Sequence, residues 1–258
     1  MTRRSPSSLP RRDTLAVLFS LTAITLLAWG YLIDMAGDMT TMSSTANMMS
    51  VHPWTGREFG FMFLMWAIMM VGMMVPTAIP MTLTYAGVAR KADAQQTPIA
   101  PTAVFVTGYL VIWTVFSVAA TTAQWGLDQA ALLSPMLVTT SPTIGGTLLI
   151  TAGLYQLTPF KQACLTKCRG PIHFLAYHWR PGTIGALRMG VEHGLFCLGC
   201  CWILMGLLFL GGAMNLMWIA AITLFVLLEK VLPFGPQGGR ISGIAMIVVG
   251  VVVIANML

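Results

Sequence analysis

Seven long apolar runs constrain this chain more than any other feature of its sequence. A helix that crosses the hydrocarbon core of a bilayer needs about 20 mostly apolar residues. The runs that meet or approach this length cover residues 14–34, 60–86, 102–124, 143–160, 184–212, 214–232 and 241–257. Because backbone amides in lipid must be hydrogen-bonded within their own segment, we expect each run to be an α-helix.

The composition excludes an ordinary soluble domain. Hydrophobic residues make up 57% of the chain and charged residues only 9%, whereas soluble domains carry about 25% charge. We therefore predict an all-α polytopic transmembrane helix bundle in one domain, residues 14–258, after a basic cytoplasmic tail at 1–13. The first run is too long for the apolar part of a signal peptide and no small-residue cleavage site follows it, so we expect a retained anchor.

The distribution of Lys and Arg predicts the orientation of the bundle, because cytoplasmic loops carry an excess of these residues. With the N-terminus inside and the C-terminus outside, thirteen of the fourteen basic residues fall on the cytoplasmic side and only Arg57 lies outside. This arrangement predicts a cytoplasmic membrane as the location. Basic loops beside anionic lipid headgroups then account for the net charge of +6, without nucleic acid as a partner.

Ligand-type side chains are concentrated in the fifth run, in the stretch EHGLFCLGCCW. His193, Cys197 and Cys200 follow one another at i, i+4 and i+7, with Cys201 beside them, so they share one face of a helix. Thiolates are soft ligands that select Cu(I), with zinc or iron as the alternatives. The other interpretation is that these cysteines are small hydrophobes that let helices pack closely.

Two more cysteines lie in the basic segment KQACLTKCRG. Cys164 and Cys168 are four residues apart and would face the same way in a short interfacial helix bracketed by Pro159 and Pro171. They could share a metal site with the fifth run, or be free thiols in a loop. All five cysteines are predicted on the cytoplasmic side, where a reducing environment and an odd number argue against a disulfide framework.

A methionine-rich loop is predicted on the outer side at about residues 35–59. Met35, Met39, Met42 and His52 lie in it and could bind Cu(I), because neutral thioethers are soft ligands. The same side chains could instead lie against the helix bundle.

The second apolar run, which we call helix two, continues the pattern with Met65, Met69 and Met73 along one predicted helical face. Methionine is also an ordinary flexible filler of apolar cores. A metal path is favoured because the methionine-rich loop, this stripe of methionines on helix two and the inner cysteines would follow one another from the outer to the inner side. Pro76 and Pro80 should kink or loosen the inner half of this helix.

Glu192 and Glu229 lie near the predicted inner ends of helices. They are candidates for proton or charge coupling, since ionisable groups in or near spans are functional candidates. Glu192 could instead form an intrahelical ion pair with Arg188, four residues earlier. Glu229 and its neighbour Lys230 could be no more than an interfacial anchor at a helix end.

The sequence resembles a bacterial family described as predicted metal-binding integral membrane proteins. The resemblance rests on MWAIMMVGMMVPTAIP, YQLTPFKQACLTKCRGP, GVEHGLFCLGCCWILM and LLEKVLPFG, which together cover roughly residues 60–240. It implies a polytopic fold and a metal held by His193, Cys197, Cys200 and Cys201. It does not extend to the outer methionine loop.

We therefore expect a membrane protein that binds Cu(I) and relays or transports it inward, from weak outer thioethers to tighter inner thiolates. A lipid bilayer, the metal ion and a cytoplasmic metallochaperone are its expected partners, and the oligomeric state stays open. No phosphate-binding G-x-x-x-x-G-K-[ST] motif is present, which disfavours an ATP-driven pump.

Two alternatives follow from the same residues. One is a membrane-embedded metalloenzyme with an open coordination position, which is disfavoured by the shortage of buried acids and bases. The other is a structural or chaperone-like membrane subunit whose thiols only pack. The sequence predicts no catalytic residue.

Overall fold

The computed structural model describes residues 11–43, 54–92, 99–130, 132–133, 141–232 and 235–256. The helices are α1 (Arg11–Ser43), α2 (Gly56–Ala92), α3 (Ile99–Gln129), α4 (Pro142–Leu157), α5 (Pro159–Arg169), α6 (Pro171–His178), α7 (Gly182–Gly206), α8 (Leu208–Gly211), α9 (Leu216–Val231) and α10 (Gly235–Ala255). The predicted all-α class is confirmed.

Five helices in the described residues are long and apolar enough to cross a membrane, judged by length and composition. They are Arg11–Gly37, Gly56–Lys91, Pro101–Gln129, Gly182–Gly211 and Gln237–Ala255. The other two predicted spans correspond to α4 and α9, which have 16 residues each. At 1.5 Å per residue these helices are about 24 Å long, shorter than the roughly 30 Å hydrocarbon core. Seven spans and the N-in/C-out orientation stay predictions.

Helices α3 and α7 approach each other closely at glycines, which have no side chain to keep the backbones apart. A Cβ added to Gly190 would lie 2.0 Å from the carbonyl oxygen of Phe105, and one on Gly108 would lie 2.4 Å from that of Leu187. Neither carbonyl can move away without separating the helices. Close packing through small residues is a common way to join helices where lipid removes the hydrophobic driving force.

The same device joins α4 to α10. A Cβ on Gly153 would lie 2.4 Å from the carbonyl oxygen of Gly243, and one on Gly146 would lie 2.9 Å from that of Gly250. Each helix thus carries two glycines seven residues apart on the contact face. This pairing places α10 against α4, away from the cysteine-bearing helix α7.

The structure decides between the short helix and the loop that the sequence left open. Residues between Pro159 and Pro171 form the short helix α5, which starts at Pro159 and ends before Gly170. A turn follows α8 at Gly212, which has a left-handed conformation at φ +92° that favours glycine.

Helix α2 runs through Pro76 and Pro80 without interruption. A proline lacks the N–H that would bond to the carbonyl four residues earlier, which for Pro76 is the carbonyl of Gly72. The indole Nε1 of Trp29 on α1 donates to this oxygen at 3.2 Å. The hydrogen bond lost within α2 is therefore replaced by one from a neighbouring helix.

The start of the methionine-rich segment is helical. Because α1 extends to Ser43, the backbone at Met35, Met39 and Met42 is helical rather than part of a loop. Met35 is half-buried against the main core. The side chains of Met39 and Met42, and the whole of His52, lie outside the described residues.

We expect Gly190→Ala to lower the free energy of unfolding by about 1–3 kcal/mol, as overpacking does in other cores, because the new methyl would overlap the Phe105 carbonyl. Thermal unfolding in detergent followed by circular dichroism measures this. The matched control is Gly60→Ala on α2, which has open space around it and should gain about 0.5–1 kcal/mol from helix propensity. Equal stability of the two variants would contradict the close α3–α7 contact.

Candidate metal centre

The four ligand-type residues of α7 all face the protein interior. His193, Cys197, Cys200 and Cys201 are each 1% exposed. Their spacing of four, three and one residues places them on adjacent positions of one helical face. The structure thus brings the predicted set to one buried surface of α7.

The sulfur of Cys197 lies at the centre of this surface. It contacts the hydroxyl of Tyr109 on α3 at 3.1 Å and the ammonium of Lys230 on α9 at 2.9 Å. Cys168, Cys200 and Cys201 belong to the same buried core as Cys197. Polar groups from α3 and α9 therefore converge on one sulfur.

Helix α5 brings its two cysteines to the same region. Cys168 is within hydrogen-bonding reach of Cys197 and Cys200, and these hydrogen bonds, with burial, raise the pKa of the Cys168 thiol. Cys164 packs against Gly199, where an added Cβ would lie 2.9 Å from its sulfur. Burial is the largest cause that raises the pKa of the Cys164 thiol. Both thiols are accordingly favoured in the neutral form when no metal is bound.

The thiols are close together but are not arranged as a finished metal cage. Cys200 and Cys201 both donate to the carbonyl oxygen of Cys197, each at 3.0 Å. Across the described part of the chain, no three or more His, Cys, Asp or Glu side chains are positioned to hold a metal ion. A metal bound here would require these thiols to turn away from the carbonyl.

His193 lies one helical turn before Cys197, among aromatic rings. Its ring is roughly parallel to that of Tyr109 at 5.6 Å and to that of Phe105 at 6.1 Å, and meets Phe174 edge-on at 5.6 Å. Its Nδ1 atom is buried and has no hydrogen-bond partner. The imidazole is thus enclosed on the same face as the thiols without joining their hydrogen bonds.

Lys230 was not predicted at this centre. The sequence alone suggested an anchor at the end of α9, but Glu229 and Lys230 are only 5% and 7% exposed. A signal was present in the sequence, because Lys230 is seven residues after the buried Thr223 and four after the buried Val226. Lys230 therefore continues the buried face of α9 and not its exposed side.

Glu229 has a different partner. Its carboxylate forms a buried ion pair with Lys161 at the start of α5. Lys161 is fully buried, and sequence analysis did not single it out. Glu229 is therefore bound to an amine, and this ion pair ties α5 to α9.

Glu192 lies away from the sulfurs. It is paired with Arg180 at 3.0 Å and not with Arg188, the partner suggested by sequence. Its side chain is 28% exposed. His193, the next residue, points into the aromatic enclosure instead, as expected for neighbours about 100° apart on a helix.

The methionine stripe of α2 is completely buried. Met65, Met69 and Met73 are 0% exposed, and they belong to the same apolar core cluster as Cys197 and Cys200. The stripe and the thiols are thus parts of one continuous interior, on helices α2 and α7.

Comparison with known proteins identifies the family of the chain. Neither curated proteins nor solved structures gave a match. A family described as “PpoB2: Copper chaperone” matches residues 63–253. The matched region contains every cysteine of the chain and the methionine stripe, and it starts after the segment from Met35 to His52. Since this match covers most of the chain and all the helices that carry the sulfur cluster, the protein belongs to the PpoB2 copper chaperone family.

Proposed function

We propose that this protein is a copper chaperone of the cytoplasmic membrane that binds Cu(I) with a thiol cluster and relays or transports it inward. The proposed ligands are Cys197, Cys200 and Cys201 of α7 with Cys168 of α5, while Cys164 and His193 lie beside them as further candidates. The observation that carries the proposal is that cysteines of α5 and α7 lie in one buried core, in a chain of a copper chaperone family.

The sulfur ligands favour Cu(I) over zinc or iron, because soft ligands select Cu(I). The ammonium of Lys230 also lies 2.9 Å from the sulfur of Cys197. Because like charges repel strongly in a medium of low dielectric constant, this ammonium repels a divalent ion more than a monovalent one.

The hydrogen bonds of Cys200 and Cys201 favour exchange of the metal over storage. Each thiol already has an acceptor in the carbonyl of Cys197, so leaving the metal does not leave a buried donor without a partner. Unsatisfied buried polar groups cost about 1–3 kcal/mol, and avoiding this cost lowers the barrier to release. A carrier needs binding that is weak enough to let the ion leave.

The proposed inward direction of copper movement rests on the methionines. The thioethers of Met65, Met69 and Met73, with Met35, Met39, Met42 and His52 towards the outer side, would be weak capture sites. The thiols would be the tighter inner acceptors, from which a cytoplasmic metallochaperone would collect the ion. The five apolar helices support a membrane location.

Charge coupling is assigned to Glu229 ahead of Glu192. Glu229 forms a buried ion pair with Lys161 on α5, the helix that carries Cys164 and Cys168, whereas Glu192 is partly exposed and paired with Arg180. A movement of α5 on metal binding would therefore act on Glu229 directly.

The central prediction concerns bound metal. Protein purified anaerobically should contain copper near one ion per chain by mass spectrometry, and the Cys197/Cys200/Cys201→Ser triple variant should lose it, because the hard hydroxyl is a poor ligand for Cu(I). Met189→Leu, a buried change on α7 in a separate core cluster, is the control and should keep its copper. Bound zinc or iron, copper retained in the triple variant, or no metal at all would each contradict the proposal.

The transport step is tested separately in cells. Cys200→Ser and Cys201→Ser should each abolish most of the copper accumulation that depends on this protein, because each removes a ligand from the inner acceptor. Copper uptake is measured at matched expression, again with Met189→Leu as the control. Unchanged uptake by variants that have lost their bound metal would exclude transport through this cluster.

Orientation is tested with epitope tags between helices. A tag inserted within residues 93–98, between α2 and α3, should be protected from outside reagents in intact cells. A tag within residues 134–140, between α3 and α4, should be accessible. Accessibility of the first tag, or protection of the second, would contradict the predicted orientation.

A further inference from the structure

Met62 precedes the methionine stripe on the same face of α2, three residues before Met65. Its side chain is half-buried and packs against the main core, whereas Met65 is completely buried. It lies in the second turn of α2, at the end that the predicted orientation places outside. A soft ion that arrives from that side would therefore meet the Met62 thioether before the sulfurs of the stripe.

Gln124 on α3 holds this thioether through a hydrogen bond. Its Nε2 donates to the Met62 sulfur at 3.4 Å, and its Oε1 accepts from the indole Nε1 of Trp66 at 2.6 Å. Because an indole N–H can only donate, Trp66 requires the amide oxygen on its own side and so directs the amide NH₂ group towards Met62. Two side chains one turn apart on α2 thus fix the orientation of the amide.

The amide of Gln124 is a costly choice if it only fills space. Its side chain is 0% exposed, and a buried amide is destabilising unless its hydrogen bonds are made. A thioether is a weak acceptor, so Met62 satisfies the amide less well than a carbonyl would. Leucine would fill a similar volume without this cost. What the amide adds is a fixed position for a methionine side chain that otherwise rotates about three bonds.

The hydrogen bond leaves the Met62 sulfur able to bind a metal ion. A thioether sulfur has two lone pairs, so it can accept from the amide with one and bind the ion with the other. It also has no proton to lose, so Cu(I) binding here displaces none. Met65, one turn along the same face, offers a second thioether, and thioethers are soft ligands that suit Cu(I).

A carboxylate lies one turn further out on α3. Asp128 follows Gln124 by four residues, so the two share one side of the helix. The indole Nε1 of Trp54 donates to the Asp128 carboxylate at 2.8 Å. A negative charge attracts a cation over a longer distance than a neutral thioether does. The described outer ends of α2 and α3 therefore combine a carboxylate, a held thioether and the start of the buried stripe.

We propose that Met62, paired with Met65, is the ligand through which Cu(I) enters the methionine stripe, and that Gln124 is a positioning residue that holds its sulfur. This inference rests on the proposed function and adds the place of entry. A side chain that is already held spares the cost of ordering a flexible methionine when the ion binds. Gln124 does not touch the ion in this scheme and acts only through Met62.

The first test measures protein-dependent copper uptake by cells over a range of copper concentrations at matched expression. Met62→Leu and Gln124→Leu should each raise the half-saturating copper concentration about tenfold or more, as loss of a ligand or of its orienting partner does at other metal sites. Uptake at saturating copper should change little, because the inner thiols are intact. An unchanged half-saturating concentration in Met62→Leu would overturn the inference.

A double variant separates positioning from a general effect on the fold. If Gln124 acts through Met62, adding Gln124→Leu to Met62→Leu should cause no further rise, whereas a further rise would overturn the role of Gln124. The matched control is Met217→Leu near the start of α9, on the predicted outer side. Met217 is 80% exposed, so its thioether is reachable but not held, and uptake by this variant should equal that of the natural protein. An equal rise in Met217→Leu would also overturn the inference.

A measurement on the natural protein covers the case in which Gln124→Leu does not fold. In protein labelled with ¹³C at the methionine methyl groups, Cu(I) added beyond saturation of the thiols should shift the signals of Met62 and Met65, and the Met217 signal should stay in place. An unshifted Met62 signal would overturn the inference. Failure of the natural protein to bind Cu(I) at all would instead overturn the proposed function.

Discussion

Where α3 crosses α7, the two backbones touch at Gly108 and Gly190 with no side chain between them. On α3, Gly108 lies between Phe105 and Tyr109, which are one turn apart. On α7, Gly190 is followed by His193 and Cys197, also one turn apart. The crossing therefore brings Phe105 and Tyr109 beside the His193 ring and the Tyr109 hydroxyl beside the Cys197 sulfur. The Tyr109 hydroxyl can reach the Cys197 sulfur only because the helices are this close. The environments of the His193 ring and the Cys197 sulfur thus depend on Gly108 and Gly190, because a methyl group on either would separate the helices.

The polar groups of the interior are organised around two amines rather than around the thiols alone. Lys161 meets a carboxylate, as a buried amine is expected to. Lys230 meets a hydroxyl and a sulfur instead. Each of the two buried amines thus has a different kind of partner, a carboxylate for Lys161 and a hydroxyl with a sulfur for Lys230.

Much of the fold could be predicted, because apolar length and proline positions act locally. The apolar runs predicted the helices, and Pro159 and Pro171 predicted α5. The spacing of His193 and the α7 cysteines predicted a shared face. The membrane orientation and the two spans that correspond to α4 and α9 would depend on a bilayer and not on contacts within the chain, and they stay predictions.

The contacts that the sequence could not predict are long-range. Tyr109 is 88 residues from Cys197, and Thr77 is 153 residues from Lys230, so no spacing rule links them. The adjacent residues Glu229 and Lys230 suggested an interfacial anchor at a helix end. On a helix, however, neighbours point about 100° apart, and each of these two reaches a different helix.

The proline in the middle of α2 also makes that helix dependent on another. Pro76 leaves the Gly72 carbonyl without its usual donor, and Trp29, 43 residues earlier in the chain, supplies the missing N–H. Since an unpaired carbonyl in an apolar medium is costly, α2 is energetically incomplete as an isolated helix and becomes complete when α1 docks. In α2, the helix that carries the methionine stripe, a backbone carbonyl is thus satisfied by a side chain of another helix.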